Sequence, residues 1–233
     1  MLVSGLQKLS LLDYPGKVAC VVFTPGCNLR CGFCHNPEFV LPEKLLSIKA
    51  SFLEEREFFD FLKKRQGILD AVSICGGEPT MHQDLPDFCR RIKELGFLVK
   101  LDTNGSHPEI LAHLLEKNLI DYVAMDVKHI WSKYQEITGR DIEISKYQES
   151  IKLIIDSAPD YEFRTTVIDG VHSQEDILEI ASYIQGAKAY YLQNYRPGEV
   201  LDLSFVGSSF TEEKLVSIAN EVNRKGLHCT VRK

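Results

Sequence analysis

Cys27, Cys31 and Cys34 stand in one short stretch, TPGCNLRCGFCHNP, residues 24–37, as a C-x3-C-x2-C array. A loop this rich in Gly, Pro and Asn has no periodic buried face, so core packing cannot account for all three. They can all point inward around one metal centre. Soft sulfur ligands suit zinc, Cu(I) or iron–sulfur clusters. Structural zinc wants four protein ligands and usually draws on two separated pairs, and no matching pair stands elsewhere in the chain. A four-iron cluster normally takes four thiolates. Three would leave one iron open, where a small molecule can bind and react.

Four further stretches carry chemistry-bearing residues. Gly76-Gly77-Glu78-Pro79 reads either as a tight turn or as a ligand strip, because glycines let backbone approach a ligand closely and Glu78 can hold a cation. In Asp102-Thr103-Asn104-Gly105, Asn-Gly is also ordinary turn chemistry. Asp126 and Lys128, two apart, fall on one face of a strand, as an ion pair or a shared polar site. Arg164 lies inside an apolar run, where an unpartnered arginine is costly. The remaining cysteines, Cys20, Cys75, Cys89 and Cys229, read as small buried apolar residues. The histidines show no paired metal spacing, and only His35, beside the third cysteine, invites a site role.

The elements that must position these residues alternate. β-Branched apolar runs predict strands at 18–24, 69–75, 97–102, 121–128, 161–168 and 187–193. Between them, capping signals predict helices from Ser51 to about Gln66, Asp84 to Leu95, from Ser106, from Ser145 to about Ser157, from Ser173 to about Gln185, and from Thr211. Residues 38–50 read as loop or hairpin, 129–144 as an irregular excursion with one helical turn near 131–136, and 227–231 as a candidate terminal strand. Alternation of this kind implies parallel strands joined by right-handed crossovers. A closed eight-unit barrel needs about 250 residues, and six clear units are present. The expectation is an α/β fold, an open, partial (β/α)6 barrel, with a doubly wound sheet as the alternative. The cysteine loop, GGEP, DTNG, MDVK and QNYRPG all fall at or just after strand C-terminal ends, which share one face in a parallel sheet.

The 233 residues suit one α/β domain, residues 1–233. A net charge of −6 without a basic block argues against a nucleic-acid partner. No run of about 18 apolar residues predicts a membrane span, and Asp13, Pro15 and Lys17 interrupt any secretory signal. An odd cysteine count with three in one loop argues against a disulfide framework and for a reducing cytoplasm.

With Phe33 before the third cysteine, the array resembles the radical S-adenosylmethionine (SAM) superfamily. His35-Asn36-Pro37 narrows the resemblance to glycyl-radical-enzyme activases. The approach SLLDYPGKVACVVFTPGCNLRCGFCHNPEFV, residues 10–40, resembles the anaerobic ribonucleoside-triphosphate reductase activating proteins. The resemblance implies a partial barrel with one [4Fe–4S] cluster on Cys27, Cys31 and Cys34, and SAM chelated by the open iron. It implies a cofactor site of Phe33, Cys34, His35, Gly76, Gly77, Glu78, Asp102, Thr103, Asn104, Asp126, Lys128 and Arg164. Within it, the GGE strip takes the methionyl ammonium, and the aspartates and lysine lie near the ribose, the carboxylate and a monovalent cation. Reduced flavodoxin or ferredoxin would supply an electron, SAM would yield a 5′-deoxyadenosyl radical, and a glycyl-radical enzyme would be the protein substrate. No side-chain acid or base is implied. QNYRPG departs from the histidine-bearing segment of pyruvate formate-lyase activase, and the eight-cysteine insert of some activases is absent. The alternatives are an activase of another glycyl-radical enzyme, a small-molecule radical SAM enzyme such as a 7-deazaguanine synthase, or a non-catalytic module holding zinc or a cluster.

Overall fold

Residues on the strands alternate between two very different faces, and that alternation organises the molecule. The computed structural model describes residues 1–232. Its strands are β1 (Gly5–Ser10), β2 (Ala19–Thr24), β3 (Ala71–Gly76), β4 (Leu98–Thr103), β5 (Tyr122–Asp126), β6 (Tyr161–Val167), β7 (Tyr190–Asn194) and β8 (Cys229–Arg232). They form one sheet in the order β1 to β8. β1 runs antiparallel to β2, and β2 to β8 are all parallel. Strictly sequential order has no switch point, which excludes the doubly wound alternative. With β1 and β8 at its ends, the sheet is an open partial barrel.

The helices are α1 (Pro37–Val40), α2 (Pro42–Ile48), α3 (Glu55–Lys63), α4 (Leu85–Glu94), α5 (Pro108–Glu116), α6 (Trp131–Thr138), α7 (Ile144–Ser157), α8 (Gln174–Tyr183) and α9 (Glu212–Arg224). Their apolar stripes meet one face of the sheet. Val72, Ile74, Val99, Leu101, Val123, Met125, Phe163 and Leu192 share a core with Phe58, Phe88, Ile92, Leu111, Ile154, Ile180 and Ile218. Each such burial contributes about 1.5–3 kcal/mol.

Many of the intervening strand residues are polar. Ser73, Lys100, Asp102, Glu162, Arg164 and Arg232 form a connected set on the opposite face. Lys100 Nζ reaches the Asp102 carboxylate at 2.7 and 2.9 Å, and Ser73 donates to it at 3.1 Å. Glu162, fully buried, accepts from Arg232 at 2.6 and 2.8 Å and from the Tyr122 hydroxyl at 2.8 Å. At the strands' N-terminal ends Tyr14 closes the floor, packed with Ala19, Ala71, Tyr122 and Ala124.

Several local expectations are corrected. Residues 38–50 are mostly helical, because Pro37 and Pro42 sit at first-turn positions of α1 and α2, where a missing N–H costs nothing. Ser51 does not cap α3: its hydroxyl donates to the Ile48 carbonyl, and the capping box is Glu54 with Glu57. α5 starts after His107, not Ser106, whose hydroxyl accepts from Asn28. α7 starts after Glu143, so Ser145 lies within its first turn. The 129–144 excursion holds the two-turn helix α6, closed by Gly139 in the left-handed region. β1 was not expected, since an edge strand with exposed Gln7, Lys8 and Leu9 shows no apolar run. The terminal strand joins the sheet as β8.

Removing one partner of a buried ion pair strands the other. Arg232→Met is expected to lower unfolding free energy by about 3 kcal/mol in chemical denaturation, while Arg90→Ala, on the solvent face of α4, should leave Tm unchanged.

Candidate active site

Every residue that the sequence singled out for the site lines one cavity of about 420 Å³: Cys27, Cys31, Phe33, Cys34, His35, Gly76, Gly77, Glu78, Asp102, Thr103, Asn104, Asp126, Lys128 and Arg164. The wall follows the C-terminal ends of β2 to β6, where a parallel sheet gathers its loops.

The cysteine loop leaves β2 and is held by its own polar groups. Arg30 donates to the carbonyls of Cys27 and Leu29 at 2.6 and 2.7 Å, and Arg30 N donates to the Thr138 carbonyl at 2.7 Å. An apolar cluster separate from the main core, Leu29, Phe33, Ile168, Tyr195 and Val200, encloses Cys31. Burial pushes the Cys27 thiol up to about 12 and the Cys31 thiol to about 11, so both are neutral until a metal displaces their protons. All three are free. Among the described residues, no three His, Cys, Asp or Glu side chains converge on a single ion. Three free thiols lining one cavity are the soft donor set that an iron–sulfur cluster takes. Cys75, read from sequence as buried packing, also lines the cavity. Its charged neighbours are Asp102, Lys100, Asp13 and Arg164, whereas Cys20 and Cys229 have no charged neighbour of note.

The GGE turn is clasped to the cysteine loop. Gly77 N donates to the Thr24 carbonyl at 2.9 Å and Glu78 N to the Gly26 carbonyl at 2.8 Å. A Cβ on Gly77 would stand 1.7 Å from Gly26 O, and one on Gly76, at φ +117°, 2.2 Å from Thr24 N. The close approach these glycines permit is therefore to the chain's own backbone. Glu78, 1% exposed, accepts from Thr80 N, Thr80 Oγ1, Thr103 Oγ1 and Asn104 N at 2.5–3.1 Å. A carboxylate offers about four acceptor sites. Glu78 thus welds GGEP to DTNG while lining the cavity, which is the turn reading of the motif.

Arg164 joins the acidic groups. It reaches Asp102 at 2.7 Å and Asp126 at 2.8 Å, and Lys128 pairs with Asp126 at 3.4 Å. Burial alone would raise the Asp126 carboxyl, but Arg164 and Lys128 hold it down at about 2. Asp102 is likewise held below the usual range, by Lys100 and Arg164 against its burial. Salt bridge and cavity wall are one role for Arg164, not two. Behind Lys128, the His172 Nε2–H donates to its carbonyl at 2.9 Å while His172 Nδ1 accepts from Ile168 N. The stacked His129 lies 4.4 Å away. Sequence reasoning missed Asp13, Asn36, Thr166 and Leu201 in the lining, and the Lys100–Glu162–Arg232 set beneath it. Period-two polarity in LVKLDT and YEFRTTV was the available signal.

The sequence profile of the radical SAM superfamily matches residues 21–184. The chain belongs to the radical SAM superfamily. It is a radical SAM oxidoreductase, and the family works with SAM and a [4Fe–4S] cluster. A protein of Methanocaldococcus jannaschii assigned as a glycyl-radical enzyme activating enzyme is 39% identical over 210 residues, covering 88% of this chain and 84% of that one. Pyruvate formate-lyase-activating enzyme of Clostridium pasteurianum is 32% identical over 152 residues, 59% of this chain and 57% of that one. Streptococcus suis SuiB bound to S-adenosylmethionine has the same fold, with a TM-score of 0.65 at 19% identity. That match covers 91% of this radical SAM chain but about half of SuiB, 52%.

Two expectations follow. Gly77→Ala should lower stability by about 3 kcal/mol or displace the cysteine loop, with Gly198→Ala, whose Cβ meets nothing within 4 Å, as the neutral control. Burial lowers His172 from 6.5 to about 4, so the unfolded chain binds a proton in that window that the folded one refuses. The contribution is complete above pH 6.5 and lost as pH falls toward 4, up to about 3 kcal/mol. His172→Gln should flatten that slope in denaturation curves measured across the range.

Proposed function

We propose that this chain is a glycyl-radical-enzyme activase. It cleaves SAM reductively and generates a glycyl radical on a partner enzyme, anaerobic ribonucleoside-triphosphate reductase. The observation that carries the reading is the shared cavity: three free thiols line it together with a paired Asp102–Arg164–Asp126–Lys128 set. The 39% identical relative is assigned as a glycyl-radical enzyme activating enzyme, with no partner named, and the SLLDYPGK approach supports the reductase as partner.

Cys27, Cys31 and Cys34 would hold the [4Fe–4S] cluster as its three protein ligands, leaving one iron to SAM. When bound, cluster and SAM would supply one-electron reductive cleavage: an electron from the cluster to the sulfonium would break its bond to C5′, releasing methionine, and the 5′ radical would take a hydrogen atom from a glycine Cα to become 5′-deoxyadenosine. The chain's own residues bind and orient. Gly76, Gly77 and Glu78 present the strip for the methionyl ammonium, its backbone pinned by the clasp to the cysteine loop. Lys128 and Arg164 offer cations to the carboxylate, already fixed by their aspartates. Asp102, Thr103, Asn104, Phe33 and His35 complete the wall. Asp102 and Asp126 are the acids available to a monovalent cation. No proton transfer is asked of any side chain, and the apolar shell around Cys31 keeps water from the reacting end.

Residues 1–233 would act as one domain, with the open mouth admitting the glycine loop of a large partner and reduced flavodoxin or ferredoxin supplying electrons. Seven free cysteines suit a reducing cytoplasm. Among the described residues, no helix is long and apolar enough to cross a membrane.

Anaerobic reconstitution should give about four irons per chain, and serine at Cys27, Cys31 or Cys34 should abolish uptake. Stoichiometric zinc without iron would refute the cluster. With the anaerobic ribonucleotide reductase of the same cell, the reduced protein should produce a doublet glycyl signal in electron paramagnetic resonance. A radical on a different glycyl-radical enzyme would keep the class and change the partner. Efficient turnover of a small heterocycle alone would overturn the class.

A further inference from the structure

Beyond the QNYRPG turn, residues 199–208 run back against the cysteine loop, with Leu201 reaching the cavity lining. Leu201 N donates to the Cys34 carbonyl at 2.9 Å and Asp202 N to the Gly32 carbonyl at 3.0 Å, a two-rung ladder onto the loop itself. The Phe205 ring lies against Gly32: a Cβ there would stand 3.2 Å from Phe205 Cδ2. The same ring packs 6.0 Å from Phe33 and 5.9 Å from Tyr195, centroid to centroid. Both ends of the segment are tied down. Glu199 pairs with Lys44 at 3.0 Å, and Asp169 N donates to the Ser208 carbonyl at 2.8 Å. Leu203, by contrast, is 87% exposed.

We propose that residues 199–208 are a strap that seats the cysteine loop and excludes water from its Cys31–Cys34 side, with Phe205 as the positioning residue. The proposal rests on the reading that these thiols hold the cluster. Solvent exposure and the groups around the ligands set a cluster's potential and the strength of its hold. A buried cluster resists the extra negative charge of reduction, so opening the strap should move its potential upward.

Two measurements on Phe205→Ala test this, with the exposed Leu203→Ala as control and Phe205→Leu as the conservative rescue. In the apoprotein, Cys31 and Cys34 should react with iodoacetamide about tenfold faster in Phe205→Ala, read by peptide mass spectrometry, while Cys20 and Cys89 in the core stay protected. In the reconstituted protein, a ferrous chelator should extract iron about tenfold faster, and the midpoint potential should rise. Leu203→Ala should match wild type, and Phe205→Leu should recover most of both effects. If Cys20 and Cys89 open in step, Phe205→Ala has unfolded and the milder Phe205→Val decides: it should still speed alkylation of Cys31 and Cys34 alone, and wild-type rates there overturn the strap. Wild-type alkylation rates in a folded Phe205→Ala overturn the strap. Faster alkylation with unchanged iron release and potential overturns its role toward the cluster. If wild type takes up no iron while Phe205→Ala still exposes the thiols, the cover stands and the cluster reading fails.

Discussion

A barrel whose inner face carries charges must neutralise them largely among themselves, because Lys100, Asp102, Glu162 and Arg164 are mostly shielded from water. Moving an ion out of water costs several kcal/mol even after relaxation, and only good pairing offsets it. Arg164 sits at the centre of the solution, bound to Asp102 and Asp126. Lys100 completes Asp102, Lys128 completes Asp126, and Arg232 completes Glu162 one layer below. The lattice is nearly balanced, so it stays charged in the folded state, and its directions agree: the carboxyls are held down and the Arg164 guanidinium up. The wall it builds is polar, rigid and preorganised, the setting in which fixed charges act most strongly on a bound ligand.

A second constraint places the thiols over that wall. Gly77 and Gly26 approach more closely than any side chain allows, and the Glu78 carboxylate ties the same turn to Thr103 and Asn104. Asn104 then bonds Asn28 beside the first cysteine at 2.9 Å. Three loops from three strand ends are locked as one piece. A shift of the cysteine loop would have to break this clasp, the strap over Gly32 and the Arg30 contacts together.

How far this was legible in the sequence follows from the physics of each part. Buried parallel strands announce themselves as apolar runs, but periodicity left the doubly wound sheet open, and only the sequential strand order in the structure decided for the partial barrel. The cavity lining was legible because its residues are punctuations at strand ends, although Gly76, Gly77 and Glu78 turn out to have a packing reason as well, the clasp to Thr24, Gly26 and the 103–104 turn. Helix starts were less legible: Ser51, Ser106 and Ser145 match capping patterns locally, but tertiary contacts chose Glu54, His107 and Glu143. β1 was invisible because an exposed edge strand needs no apolar run. Lys100 and Glu162 were overlooked because a single charge in a strand looks like a solvent-facing residue until neighbouring strands show its partners. Nothing local to residues 199–208 links them to Gly32, more than 160 positions earlier.

The central claim is that the paired charges and the three thiols form a single SAM-binding cavity. Electron paramagnetic resonance of the reduced, reconstituted protein, titrated with SAM, tests it most directly. The account requires that SAM change the cluster's signal in wild type, and that Lys128→Met keep the unliganded signal while needing about tenfold more SAM, the loss of one charge-assisted hydrogen bond. A reduced cluster whose signal ignores SAM, or a Lys128→Met protein that responds as wild type does, would contradict it.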